Sequence, residues 1–413
     1  MTGSTSKNGH IKPNLTDLPD LRAVHVGISG FPFGSAAINK CIAVYESLHQ
    51  HKIQFLLINN RAVHKKDIPI PVEKNGLINN LRYTYTTVSP YKSDSFVMRR
   101  FSNFLGRINE FLLLLKLCLG NKIDIMFYYP TNGSFLELLY YRSFSKIFGF
   151  PIVAQYVEYR TSFKSEFRPQ DKVMHYLFDR YFMRFVDGVL PISEYLIDHL
   201  KRRGYTKPYI KVPPLTDFNQ FRIERQNGEE NYFLYVGTAA YLEAIEFITQ
   251  SFDISGASNY FLHLVVNGSP HQMKTVETLV SKMKKRDQVR LFSNLKYSHL
   301  VHKYIHAKAL LIPLTDSVQD KARFPQKISE YLASGNPIVT TNFGEVPFYF
   351  FDQENALVAT DYDVNQYAAK LDFVVANPEA SVQIGKKGKE TGLKFFDYNS
   401  YGAEIKKMII SLQ

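Results

Sequence analysis

The feature that most constrains this chain is a rhythm of short β-branched or apolar runs separated by amphipathic stretches. It stops once and then restarts. The runs are "RAVHVGIS" (22–29), "IQFLLIN" (53–59), "IDIMFYY" (123–129), "PIVAQYV" (151–157) and "DGVLPIS" (187–193). Helix-like segments lie between them near 35–50, 97–120, 133–148 and 170–186. Parallel strands need long crossovers and are covered on both faces, so this alternation predicts a parallel sheet with helices on either side. The rhythm breaks at "TKPYIKVPPLTDFNQFRIERQNGEEN" (206–231), where Pro208, Pro213 and Pro214 precede a charged polar run. Such a stretch reads as an interdomain connection. Beyond it the pattern resumes with "YFLYVGT" (232–238), "FLHLVVNG" (261–268), "QVRLFSN" (288–294), "ALLIPLT" (309–315), "PIVTT" (337–341) and "ALVAT" (356–360). The expected fold class is therefore α/β, with two doubly wound domains leaving a cleft at the carboxyl ends of their strands. A length of 413 residues agrees, because it exceeds what one compact core fills.

Composition narrows the partners. Hydrophobic residues make up 45% and charged residues 21%, as in ordinary globular proteins, and only the first twenty residues read as a solvated tail. Lysine and arginine exceed aspartate and glutamate by 50 − 38 = 12, which favours an anionic partner. The basic residues are scattered through the α/β pattern and not gathered in a binding module, so nucleic acid is not expected. Cys41 and Cys118 stand 77 positions apart in a chain whose start shows no secretory pattern. Reduced thiols and a cytoplasmic location are the expectation. The most apolar stretch, "FLGRINEFLLLLKLCLG" (104–120), is interrupted by Arg107, Glu110 and Lys116 and is too short to span a bilayer. Over 97–120, however, Arg99, Arg100, Arg107 and Lys116 are interleaved with Phe101, Phe104 and Phe111. That pattern fits a helix lying on an anionic membrane surface, and equally an amphipathic helix covering a sheet.

Chemistry concentrates in "ARFPQKISEYLASGNPIV" (322–339). Pro325 suits a first helical turn, Gly335 suits a helix C-cap and "PIVTT" reads as a buried strand. Arg323 then precedes a helix N-terminus, which attracts anions, and Lys327 and Glu330 share a face. One could neutralise a diphosphate while the other accepts hydrogen bonds from a diol; a surface ion pair is the ordinary alternative. Two glycine-containing loops add backbone N–H groups: "GISGFPFGSAAINKC" (27–41), with Gly34 and Ser35 at a helix start, and "NFGEVPFYF" (342–350), with Gly344, Glu345 and Val346. A plain turn explains either. Glu158 in "AQYVEYR" falls at the end of a first-domain strand and hence towards the cleft. His302 and His306 are four apart, but they lack the glutamate of an H-E-x-x-H site, and no metal is expected. Walker A, C-x-x-C and G-x-S-x-G patterns are absent.

Taken in order, these stretches resemble the GT-B glycosyltransferases, specifically family 4. In that family a K-x-x-E-Y-x-A-x-G helix is followed by P-[IV]-V and G-x-V-P, as in "RFPQKISEYLASGNPIVTTNFGEVPFYF". "FPFGSAAINK", "VLPISEYLIDHLKRRG", "VPPLTDFNQF", "FLYVGT" and "VVNGSP" fall in matching order, so the resemblance runs from about residue 22. It implies two Rossmann-like domains facing a cleft. Residues 1–20 would be a tail, 21–206 the acceptor-side domain and 207–231 the linker. The donor-side domain would span 232–390, with a helix in 391–413 packing back towards the first domain. It further implies a nucleotide-sugar co-substrate with no separate cofactor, and transfer with retention at the anomeric carbon. Glu330 would hold the ribose, Arg323 and Lys327 would face the diphosphate as catalytic charges, and Gly344, Glu345 and Val346 would lie near its phosphates. Gly34, with Ser35, would approach the donor, and Glu158 is the acceptor-side candidate. The family's Glu-x7-Glu pair would begin at position 322, which is Ala322, and its basic pair after the second domain's first strand is replaced by "GTAAYLEAIEF" (237–247). Arg323 and Lys327 are expected to substitute. The acceptor is expected to be a glycan or a lipid-linked glycan, in polysaccharide or glycoconjugate assembly. A nucleotide-sugar epimerase, or a catalytically silent glycan-binding protein, are the alternatives.

Overall fold

The computed structural model describes residues 20–33, 36–65, 71–130, 135–162, 169–223 and 230–413. Each expected run is a strand. In the first domain these are β1 (Leu21–Val26), β2 (Ile53–Asn59), β5 (Ile125–Tyr128), β6 (Ile152–Tyr156) and β7 (Gly188–Pro191). Between β2 and β5 the sequence rhythm predicts no strand, yet an antiparallel pair, β3 (Asn75–Ile78) and β4 (Leu81–Tyr85), extends the sheet edge. Asn79 and Asn80 form its turn with φ of 46° and 68°, the left-handed pair that a two-residue hairpin requires and asparagine tolerates. The sheet order is β3-β4-β2-β1-β5-β6-β7, parallel apart from β3. Helices α1 (Ala36–Gln50), α2 (Phe96–Leu119), α3 (Phe135–Phe148), α4 (Pro169–Tyr181) and α5 (Glu194–Arg202) cover it. β5, β6 and β7 are buried at every position, as strands covered on both faces must be.

The second domain is built the same way. Its strands β8 (Tyr232–Thr238), β9 (Phe261–Asn267), β10 (Val289–Phe292), β11 (Ala309–Ile312), β12 (Ile338–Thr341) and β13 (Leu357–Ala359) form a wholly parallel sheet in the order β10-β9-β8-β11-β12-β13. Its helices are α6 (Leu242–Ile254), α7 (Pro270–Ser281), α8 (Tyr297–His306), α9 (Val318–Ala322), α10 (Lys327–Ser334), α11 (Val346–Tyr349), α12 (Val364–Ala376) and α13 (Pro378–Phe395). Helix α13 runs tight against the end of α10, because Gly385 presents no Cβ, which would collide with the Gly335 carbonyl.

The chain crosses between domains twice. After β7 the linker begins by running beside that strand, with the Val212 N–H donating to the Pro191 carbonyl (2.9 Å). On the way back, Thr216 pairs with Asp397, and the last helix, α14 (Gly402–Ser411), packs on α1 of the first domain. Lys406 Nζ donates to the His51 carbonyl there at 2.6 Å. Among the described residues, no helix is long and apolar enough to cross a membrane.

Candidate active site

In each sheet the strand order reverses beside the first strand, between β1 and β5 and between β8 and β11. A crevice opens at such a point because neighbouring crossovers depart to opposite faces. Here both crevices open into one cleft of about 1080 Å³. The first domain contributes Lys40 of α1, Tyr129 after β5 and Glu158 after β6. The second contributes Thr238 at the end of β8, the Pro313–Thr315 segment after β11, and the α9–α10 turn.

That turn is shaped by local chemistry. Ser317 caps α9, its hydroxyl accepting from the Asp320 N–H at 3.2 Å. Pro325 disfavours a helical Phe324, so α9 ends and Arg323 is extended. Helix α10 begins at Lys327, two residues later than a start at Pro325 would place it. The preceding turn is closed by the Ile328 N–H donating to Pro325 O (3.1 Å) and the Ser329 N–H to Gln326 O (3.2 Å). Gly335 ends α10 in the left-handed conformation, φ 77°.

Arg323 lines the cleft under tight restraint. Its Nε and Nη2 donate to Asp320 Oδ1 (3.1 and 2.7 Å), its Nη1 donates to the Tyr241 hydroxyl (2.5 Å), and the guanidinium lies 4.5 Å from the Tyr241 ring centre. Of five N–H donors, these contacts use three. Asp320 is held in turn by the Thr315 N–H (2.8 Å) and hydroxyl (2.7 Å). Lys327 also lines the cleft and has no hydrogen-bond or ion-pair partner among the described residues. Burial draws its ammonium down to about 8, nearby Glu330 opposes the fall and Arg323 adds to it. Glu158 sits across from them. Burial raises its carboxyl, and Arg160 and Arg323 oppose the rise.

Glu158, Arg323 and Lys327 thus meet in one cleft. Glu330 stands just behind the wall, buried, with Oε2 accepting from the Tyr304 hydroxyl at 2.9 Å. Burial raises its carboxyl as well, while Tyr304 and Lys327 work against that. The Gly344–Val346 loop does not line the cleft. It backs α9: Gly344 has φ 62°, and a Cβ there would come within 2.6 Å of the Asp320 carbonyl oxygen. The Val346 N–H is spent on Phe343 O (3.2 Å). Glu345 turns to the first domain, where Oε1 accepts from the Glu194 N–H at the start of α5 (2.6 Å) and Oε2 pairs with Lys211 of the linker (3.1 Å). Beside it, the Ser193 hydroxyl donates to the Ala322 carbonyl (2.8 Å). Gly34 and Ser35 lie outside the described residues.

Three cleft residues escape a reading of the sequence. Asp320 precedes Arg323 by three, a spacing that signals a helical ion pair. Tyr241 carries no local signal. Lys40, buried in α1, donates to the Val212 carbonyl (2.8 Å) and is drawn down to about 7 by burial, which ties the linker to the cleft floor. His302 and His306 stack at 4.0 Å, and no group of three or more metal-ligating side chains occurs among the described residues.

Residues 217–391 match the family described as glycosyl transferases group 1. That segment is a group 1 glycosyl transferase domain. It contains the whole α9–α10 turn and gives the chain a transferase domain with its cleft-facing charges. No curated protein sequence matches the chain. Among solved structures, the sucrose-phosphate synthase of Thermosynechococcus elongatus superposes with a TM-score of 0.72 at 16% identity, over 95% of this chain and 99% of that one. Anabaena HepE in complex with UDP and glucose does so with 0.68 at 11% identity, over 95% and 100%. The apo lipopolysaccharide outer core galactosyltransferase WaaB gives 0.60 at 13%, over 95% and 99%. The fold of the chain is that of these GT-B structures, with both domains present.

Proposed function

We propose that this protein transfers a sugar from a nucleotide-sugar donor to a glycan or lipid-linked acceptor, with retention at the anomeric carbon, in polysaccharide or glycoconjugate assembly. The observation that carries the reading is Lys327, a partly buried ammonium lining the cleft with no partner among the described residues, beside an Arg323 with two N–H donors to spare. A departing nucleoside diphosphate concentrates negative charge, and fixed positive groups aimed at it lower the barrier without an enzyme nucleophile or a metal. Because Asp320 offsets the charge of Arg323, Lys327 supplies the net positive charge, and Arg323 supplies directed hydrogen bonds. Glu330, buried behind the cleft wall and accepting from Tyr304, would hold the ribose hydroxyls once the donor reaches that wall. Gly34 and Ser35 would contribute backbone at the donor, and Gly344–Val346 would support it from behind α9. Glu158 faces the acceptor side. The UDP held by HepE, which shares the fold, supports a nucleotide-linked donor.

The test is incubation with a panel of UDP-, GDP- and ADP-sugars, with and without glycan acceptors, following free nucleoside diphosphate. Donor-dependent release is expected. Interconversion of the sugar with the nucleotide sugar left intact identifies an epimerase instead, and no turnover with any donor overturns the reading.

A further inference from the structure

The second half of helix α2 packs Leu113, Leu114, Leu115 and Leu117 against the core, but its first half turns its large apolar residues away from the sheet. Its buried positions are Gly106, Glu110, Leu114 and Cys118. Val97, Phe101, Phe104, Ile108, Phe111 and Leu119 are instead 41–71% exposed. Steps of four and three keep the first five on one stripe, and that stripe points away from the core. The only acid of α2, Glu110, is buried, accepting from Asn60 Nδ2 (2.9 Å) and the Tyr141 hydroxyl (2.8 Å) and pairing with Arg107 (3.0 Å). Arg99, Arg100 and Lys116 are exposed beside the stripe. The outer face of this helix is therefore apolar and basic, with no acid on it.

Two occupants suit such a face. A second copy could pair along the stripe, whose spacing is that of a coiled-coil seam, but the exposed cations of each α2 would then meet no acid on the other. A surface of anionic headgroups over acyl chains answers both the charge and the apolar residues.

The helix is also longer than its sheet is deep. Gly106 abuts the Asn60 carbonyl, where a Cβ would lie at 2.7 Å, and Asn109 Nδ2 donates to Thr86 O at 2.8 Å. Asn60 and Thr86 immediately follow β2 and β4, at the carboxyl edge that faces the cleft. The ten residues Phe96–Leu105, about 15 Å at 1.5 Å per residue, extend past that edge. We propose that α2 lays its outward stripe on an anionic bilayer and that its overhanging first turns hold the mouth of the first domain's cleft at the headgroups. Only the identity of what the cleft meets there, a lipid-linked acceptor, rests on the function proposed above.

Flotation of the full chain with vesicles of phosphatidylcholine, with or without phosphatidylglycerol, tests this. Binding is expected to the anionic vesicles alone, and to fall steeply with added salt. The pairs Arg99→Glu with Arg100→Glu, and Phe101→Ser with Phe104→Ser, should each weaken it at least about tenfold. Because all four side chains are exposed, the melting temperature should not move. Equal binding to neutral vesicles, no binding to either, or undiminished binding by both variants overturns the proposal. So does a dimer in sedimentation that Phe101→Ser with Phe104→Ser dissolves, since the stripe would then belong to a second copy. Nucleotide release by the same preparation needs no vesicle, so the two readings can fail separately.

Discussion

Replacing Lys327 by methionine should make this protein more stable and a worse catalyst at once. Burial brings the Lys327 ammonium from an ordinary 10.5 to about 8. The difference, 10.5 − 8 = 2.5, at about 1.36 kcal/mol per pH unit, sets an upper bound of about 3 kcal/mol on the cost of keeping the charge in the folded cleft. The sign follows from proton uptake. Between about 8 and 10.5 the unfolded chain binds the extra proton, so stability rises with pH across that window. The cost is full below about 8 and gone above 10.5. Methionine keeps the stem's packing and removes the charge, so denaturant unfolding at pH 7 should show a gain of about 1–3 kcal/mol, shrinking as pH rises. Turnover should move the other way, with kcat/KM falling at least about tenfold, because leaving-group charge goes unanswered. Donor affinity of the unsubstituted protein should weaken about tenfold between about pH 7 and 9 as Lys327 deprotonates, and the variant should lack that dependence. A methionine variant that is no more stable and keeps normal kinetics would refute the placement of Lys327 as a desolvated diphosphate ligand. A donor affinity flat across the pH range would do the same.

Other perturbations separate the parts of the site. Glu330→Ala should raise the donor KM about tenfold or more, while Glu330→Gln, which can still accept from Tyr304, should fold normally and lose less; steady-state kinetics on both distinguishes ribose binding from packing. Glu158→Gln should lower kcat at least about tenfold with donor affinity unchanged by calorimetry, if the first-domain wall it lines is the acceptor side proposed above. Glu345→Ala should cost about 1–3 kcal/mol in chemical denaturation by stranding the Glu194 N–H, although Lys211 keeps its pair with Glu194 at 2.7 Å. Gly344→Ala meets both a left-handed φ and the Asp320 carbonyl, so a loss above about 1 kcal/mol is expected in the same assay, together with slower turnover as Arg323 loses its support.

Some of this site is legible from residue types alone. Arg323 and Lys327 flank a proline, and Pro325 and Gly335 punctuate the backbone wherever they occur, so the cleft-edge turn follows from local stereochemistry. The Asp320–Arg323 pair was equally local, three residues apart, and could have been read from "DKAR". The β3–β4 hairpin was signalled by Asn79 and Asn80 between two short runs, but at four and five residues those strands are too brief for periodicity to declare them. Glu345 is different. The family resemblance put it near a phosphate, while its carboxylate reaches the Glu194 N–H 151 positions away.

The division has a physical basis. By itself, the sequence determined the strands other than β3 and β4, because a run covered on both faces must be apolar whatever surrounds it, and it determined the turns at Pro325 and Gly335, because proline and glycine restrict or free the backbone without help. The tertiary structure decided which charges remain available. Arg323 is largely engaged by Asp320 and Tyr241, Glu345 by the first domain, and Glu330 by Tyr304, whereas Lys327 lines the cleft without a partner among the described residues. It likewise decided that the phenylalanines of α2 face outward while Gly106 and Glu110 face in. Amphipathic periodicity shows that a helix has two faces, and only the shape of what lies beneath it settles which one is covered.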